Sequence, residues 1–205
     1  TTQVFPREFL KTYPSILMGF ETAQLSLYRC AETGNPFLLS STPFALGREG
    51  IPINGLVWMG NAEEMLERMK AKLAAGFRCV KIKIGAIDFE AELNLLSILR
   101  QHYSPQQVEL RLDANGAFSP QEAIEKLRLL SAFNIHSIEQ PIRAGQWEEM
   151  AELCRQSPIP IALDEELIGV HSKEEKERLL DTIKPQYIIL KPSLHGGFSG
   201  AEEWE

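Results

Sequence analysis

The chain has 205 residues, an apolar share of 44% and a formal net charge of −7, enough for one domain with a sizeable core. The acidic balance argues against a sequence-blind nucleic-acid binder, and no apolar run reaches membrane-spanning length, nor does a secretory signal open the chain. Cys30, Cys79 and Cys154 form no C-x-x-C pair and read as reduced, mostly buried thiols of a cytoplasmic protein, so small-molecule chemistry is the class that fits.

Ile16, Phe20, Ala23 and Leu27 mark a packing helix over 14–28, which Pro14 opens at its first turn. From Cys30 to Gly50 the composition turns to Gly, Pro, Ser and Thr, which predicts a long irregular connection and a domain boundary. Ile51 to Met59 predicts a first strand, closed by Gly60-Asn61. Asn61 with Glu64 makes a capping-box pattern for a helix through Met65, Met69 and Leu73 to Gly76. Asp88 can cap a helix through Leu99, and Ser119-Pro120-Gln121-Glu122 starts another that runs to about Phe133. Two more are predicted, from Gly145 to about Cys154 and from Ser172 to about Leu180. Between these helices lie Val80 to Gly85, Val108 to Asp113, His136 to Glu139, Ile161 to Asp164 and Tyr187 to Lys191, each an apolar run carrying a charge at or near its end.

From Lys83 to Asp113, Glu139, Asp164 and Lys191 the steps are 30, 26, 25 and 27 residues. A strand, a helix and two loops need about that many, so the series reads as repeated βα units with a parallel sheet. Parallel strands are usually apolar on both faces, and a charge kept at the carboxyl end of five in succession calls for a reason. A closed βα barrel brings those ends to one mouth, where such barrels carry their chemistry. Six strands are counted where a barrel needs about eight; with Thr1 at the start and Glu205 inside an expected helix, the chain reads as incomplete.

Strand alternation puts Lys81 and Lys83 on one face and Val80, Ile82 and Ile84 on the other. Alone, V-K-I-K-I also fits an amphipathic strand with solvated lysines. The neighbours change that balance: Asp113, Glu139 and Asp164 end three adjacent strands, and converging carboxylates repel unless a cation lies among them. Oxygen-only ligands select a hard cation, Mg²⁺ first and Mn²⁺ as the alternative, with sites left for water or a substrate carboxylate. Lysines flank the acids, Lys81 and Lys83 before them and Lys191 after. Positive neighbours disfavour a charged Lys83, as a general base requires. Proton abstraction next to a carboxylate is the chemistry this suits, with a metal and an opposing cation stabilising the enolate. Arg111 and Asn115 are candidate substrate-positioning residues, Arg111 equally an ion-pair partner. Trp58 reads as a buried aromatic or a pocket wall, and His195 as a loop residue or a substrate contact.

These motifs resemble the enolase superfamily, in its muconate-lactonizing subgroup. There a Lys-x-Lys motif closes the second barrel strand, metal-binding Asp, Glu and Asp close the third to fifth, and a second Lys closes the sixth. Lys81-Ile82-Lys83, Asp113 in Leu-Asp-Ala-Asn-Gly, Glu139 in Ile-Glu-Gln-Pro, Asp164 in Leu-Asp-Glu-Glu, and Lys191 follow in that order. The resemblance implies an α/β fold: a TIM-like (β/α)7β barrel, its first six strands over 51–205, and over 1–50 the end of an N-terminal α+β capping domain with its connection. It implies Lys83, Lys191 and Lys81 as catalytic groups, a Mg²⁺ (or Mn²⁺) cofactor on Asp113, Glu139 and Asp164, and a small-molecule carboxylate substrate. Lys191-Pro192-Ser193-Leu194-His195-Gly196-Gly197 is similar to the branch that dehydrates 2-succinyl-6-hydroxy-2,4-cyclohexadiene-1-carboxylate to o-succinylbenzoate for menaquinone. The rivals are racemisation or epimerisation of dipeptides or N-acylamino acids, or lactonizing cycloisomerisation, on the same site. A non-catalytic barrel scaffold is the remaining rival, and the presence of all three acids speaks against it.

Overall fold

A computed structural model describes residues 7–204; the outermost residues of the two predicted segments, 1–6 and 205, lie outside the described residues. In chain order the elements are α1 (Arg7–Leu10), α2 (Pro14–Thr33), β1 (Gly55–Val57), α3 (Ala62–Ala74), β2 (Cys79–Lys83), α4 (Phe89–His102), β3 (Glu109–Asp113), α5 (Pro120–Ser131), β4 (Ile135–Glu139), α6 (Trp147–Gln156), β5 (Ile161–Leu163), α7 (Lys173–Ile183), β6 (Tyr187–Ile188) and α8 (Gly197–Glu202). Two compact units result, one of Ile53–Glu166 with Leu179–Ile189, the other of the described parts of Thr1–Pro52, Leu167–Arg178 and Leu190–Glu205.

The first unit holds one six-stranded sheet in the order β1-β2-β3-β4-β5-β6, every neighbouring pair parallel. Strand order equal to chain order, with a helix between successive strands, is the singly wound pattern of a barrel wall. The expected caps form: Asn61 Oδ1 accepts the Glu64 N–H at 2.9 Å, Asp88 Oδ1 accepts those of Glu90 and Ala91, and Glu122 reaches back to the Ser119 N–H. Val80, Ile82, Leu110, Leu112 and Ile138 are buried with Met65 and Met69 of α3, Leu95, Leu96 and Leu99 of α4, and Leu127 and Leu130 of α5. Burying such side chains stabilises the fold by roughly 1.5–3 kcal/mol each. Gly85 (φ +86°) must be glycine, because a Cβ there would lie 2.3 Å from the Ala117 Cβ.

Several boundaries differ from expectation. The first strand is Gly55–Val57 rather than 51–59, since Pro52 has no N–H to donate to a ladder. The last strand stops at Ile188 rather than Lys191; Ile189 N–H still donates to Leu163 O at 2.8 Å, and Pro192 lacks a donor to carry pairing further. α2 runs on to Thr33, where Gly34 (φ +73°) caps it in the left-handed conformation. Only Cys154 is buried; Cys30 and Cys79 are half-buried, and all three are free thiols.

In the second unit Glu21 of α2 accepts the Phe198 N–H at 2.7 Å and the Ser199 hydroxyl, tying α2 to the first turn of α8. Lys176, 1% exposed, donates to Gly200 O and Glu203 Oε2, both at 2.7 Å. Among the described residues no helix is long and apolar enough to cross a membrane.

Candidate active site

β2 alternates as its sequence dictates: Val80 and Ile82 are fully buried while Lys81 and Lys83 stand half-buried on the other face. In register, Lys81 pairs with Arg111, Lys83 with Asp113, and Asp113 with Glu139. Asp164 follows β5 directly, two residues past Ala162, the register partner of Glu139. Two-residue strand periodicity and this register together bring the lysines and the carboxylates of adjacent strands to one end of the sheet.

The contacts are charge-assisted and short. Lys83 Nζ donates to Asp113 Oδ2 at 2.5 Å and to Asn115 Oδ1 at 2.7 Å. Lys81 Nζ lies 2.8 Å from Asp113 Oδ2 and 2.5 Å from Glu139 Oε2. Burial would lower the Lys81 ammonium, but its hydrogen bonds to Asp113 and Glu139 outweigh it and hold it above the ordinary lysine range. Burial would likewise raise Asp113, and the bonds from Lys81 and Lys83 overcome that and hold it below the usual carboxylate range. Glu139 goes the other way, pushed up to about 7 by burial against the pull of Lys81, with the Asp113 charge and a hydrogen bond to Asp164 adding to the rise. One acid is thus shifted toward its ionised form and its neighbour toward its neutral form, the divergence expected of carboxylates crowded in a low-dielectric site.

Asn115, in a left-handed conformation (φ +45°), donates through Nδ2 to Glu165 Oε1 at 2.8 Å and through its N–H to Asp113 Oδ1, so it joins Lys83, Asp113 and Glu165. The Asn-Gly turn explains the backbone: Gly116 (φ +73°) brings the loop so close to Arg143 that a Cβ would meet its Cα at 3.0 Å. Arg111 stands apart from this cluster and pairs with Glu109 at 2.8 Å on its own strand, lining with Lys81, His136, Ser137 and Glu139 a cavity of about 350 Å³. Trp58 is 56% exposed, against the expectation of a buried aromatic, because β1 ends one residue before it; its ring lies 5.5 Å from Lys83 Nζ. Glu165 was legible only as part of Leu-Asp-Glu-Glu.

In the second unit, His195 is buried and its Nδ1 accepts the Lys191 N–H at 3.0 Å. It is a loop residue, as expected, in the turn before α8, and the chain from Lys191 to Gly197 folds back on itself there, with the Leu194 and His195 N–H groups on Lys191 O.

The donor set suits a hard divalent cation. Asp113, Glu139 and Asp164 offer only oxygen, all three are buried, and Glu139 Oε1 is a buried carboxylate oxygen with no hydrogen bond, an atom that a cation would satisfy. Among the described residues no three acidic, histidine or cysteine side chains converge as an assembled cage; the ammonium groups of Lys81 and Lys83 hold the facing oxygens of Asp113 and Glu139.

Comparison with known proteins places these residues in a wider set. The family described as enolase C-terminal domain-like matches residues 64–203. The chain is 53% identical over 192 residues, 94% of its length and 51% of the relative's, to an o-succinylbenzoate synthase of Desulfotalea psychrophila. It is 30% identical over 70% of its length, and 40% of the relative's, to an L-amino acid-D/L-Glu epimerase of Francisella philomiragia. The crystal structure of MenC from Desulfotalea psychrophila superposes with a TM-score of 0.75 at 55% identity, over 81% of this chain and 46% of that one. An o-succinylbenzoate synthase of Thermosynechococcus elongatus, complexed with Mg in its active site, gives 0.74 at 26% identity, over 98% and 59%. The chain spans about half the length of the curated relatives it matches.

Proposed function

The chain belongs to the enolase C-terminal domain-like family, and from that premise we propose that it carries the catalytic lysines and metal-binding acids of a Mg²⁺-dependent lyase that dehydrates 2-succinyl-6-hydroxy-2,4-cyclohexadiene-1-carboxylate to o-succinylbenzoate. The observation that carries this reading is the 53% identity to an o-succinylbenzoate synthase across 94% of the chain. In this reading residues 1–50 close a capping domain, 51–205 are barrel, and the enzyme works in the cytoplasm on a small carboxylate, with no nucleic-acid partner.

Asp113, Glu139 and Asp164 hold the cation, Mg²⁺ with Mn²⁺ as substitute. When bound, it supplies Lewis-acid charge against the substrate carboxylate. Lys83, acting as the base, takes the proton from the carbon beside that carboxylate; the electron pair moves into the carboxylate as an enolate and then expels hydroxide, which leaves as water with the proton Lys83 returns. Asn115 Oδ1, 2.7 Å from Lys83 Nζ, orients the amine. Lys81, held charged between Asp113 and Glu139, keeps those acids in place. Lys191 is assigned the fixed positive charge for the enolate, and Arg111 a lesser positioning part.

The test follows ultraviolet loss of the cyclohexadiene by the full-length protein with Mg²⁺ or with chelator, beside Lys83→Ala. Metal-dependent loss that the variant lacks, by about 10²–10⁴-fold, is expected; no loss by the Mg²⁺-loaded wild type overturns the assignment. A second reading, epimerisation, is favoured by the 30% identity to an L-amino acid-D/L-Glu epimerase. It needs both lysines to move protons, so Lys191→Arg would abolish epimerisation yet leave α-proton exchange through Lys83.

A further inference from the structure

Gln140 follows Glu139 in the chain, is fully buried and sits in the left-handed region at φ +41°, a conformation that costs free energy for any residue with a side chain and persists only where the surroundings impose it. All its polar groups are engaged. Its N–H donates to Ala162 O at 2.9 Å and its C=O accepts the Gly116 N–H at 2.7 Å. Side-chain Oε1 accepts the N–H groups of Asp164 at 3.1 Å and Glu166 at 3.3 Å. Nε2 donates to Ile142 O at 3.0 Å and Glu166 Oε2 at 3.2 Å. Glu166, 4% exposed, uses its other oxygen to accept the Gly145 N–H at 2.7 Å.

Only a primary amide in this orientation meets those partners: two N–H groups face its oxygen, and a carbonyl and a carboxylate face its nitrogen. The outcome is one buried bracket joining the ends of β4 and β5. It holds Asp164 by its backbone N–H and Glu139 by the adjacent residue. These hydrogen bonds of Gln140 and Glu166 run to backbone groups and to each other. We infer that Gln140 and Glu166 are positioning residues that fix the separation and aim of the Glu139 and Asp164 carboxylates for a divalent cation; the inference rests on the reading that those two acids hold it. Partners of this kind commonly change metal affinity by about 10–100-fold when lost.

Titration calorimetry of Mg²⁺ into chelator-treated full-length protein tests this, with thermal melting of each metal-free protein to show that it is folded. Gln140→Met keeps the length and removes all four side-chain bonds, and is expected to raise the Mg²⁺ dissociation constant by about 10–100-fold. Glu166→Gln keeps shape but can accept from only one of its two donors, Gln140 Nε2 and Gly145 N, and is expected to raise it about tenfold. If Gln140→Met does not fold, the Glu166→Gln result decides. A purely structural role would lower the melting temperature and leave the affinity of the folded variant unchanged, and that result overturns the inference while the metal reading stands. A wild-type protein that binds no Mg²⁺ overturns the metal reading, and this inference with it.

Discussion

Lys81→Met keeps the side-chain stem and removes an ammonium shared by two buried acids, Asp113 at 2.8 Å and Glu139 at 2.5 Å, whose side chains are 0% and 6% exposed. Removing one partner of a buried ion pair costs about 3–5 kcal/mol. The low end, about 3, applies here for two reasons. Lys83 Nζ stays 2.5 Å from Asp113 and continues to neutralise it. Glu139, already pushed up to about 7, can neutralise itself by binding a proton. That second route makes the loss depend on pH: at pH 6 the proton is largely in place, whereas at pH 8 it must be taken up against about one pH unit, or about 1.4 kcal/mol. Urea denaturation in chelator should therefore show a loss of about 3 kcal/mol at pH 8 and about 1 kcal/mol less at pH 6. A loss under about 1 kcal/mol at both pH values, or a larger one at pH 6, refutes the view of Lys81 as the counter-charge of this cluster.

Asn115→Ala removes the 2.7 Å acceptor of Lys83 Nζ and should lower kcat about tenfold with Lys83 misaimed, read in the cyclohexadiene assay with the melting temperature as control. Burial raises Glu92 above the ordinary glutamate range against the pull of the Gly85, Ile87 and Ala86 amides, so the folded chain binds its proton more tightly than the unfolded one. Its contribution to stability is full below the unfolded glutamate value and lost as pH rises through the folded one; melting curves from pH 4 to 7 should show that slope shrink in Glu92→Gln. His195→Ala removes the acceptor of the Lys191 N–H and should cost about 1–3 kcal/mol in urea unfolding, with His195→Asn, whose Oδ1 can replace Nδ1, recovering part of it.

How much of this was legible in the sequence depends on range. The charged strand ends were legible because strand periodicity and βα spacing are local: Lys83, Asp113 and Glu139 each sit at the close of a β-strand, with Asp164 one residue past its own. The helix starts at Asn61, Asp88 and Ser119 were legible for the same reason, since a cap acts within three residues. What was hidden depends on partners far away in the chain. Trp58 reads as a core aromatic until β1 is seen to end at Val57, and Lys191 reads as a strand end until pairing is seen to stop at Ile188. Gln140 stood in the quoted Ile-Glu-Gln-Pro, yet its six hydrogen bonds, to residues up to 26 positions away, leave no periodic signal.

The pairing of Asp113 with Glu139 also hangs on a feature that spacing conceals. Leu110 pairs with Ile135, but Arg111 pairs with Ser137, so β4 carries one extra residue, His136, against β3. Without that bulge the register begun at Leu110 would set Asp113 opposite Ile138 and Glu139 one step beyond. Because the side-chain period of a strand is two, a one-residue slip sends side chains to the opposite face, so the same two acids would not stand abreast. The bulge leaves His136 and Ser137 together at one step, with His136 Nδ1 3.0 Å from the Ser137 hydroxyl and the ring stacked on Tyr187 at 5.2 Å, which gives the extra residue a place to pack. A bulge next to an active site commonly re-aims a side chain; here it aligns the two carboxylates between which Lys81 is held, and the shared ammonium follows from that alignment.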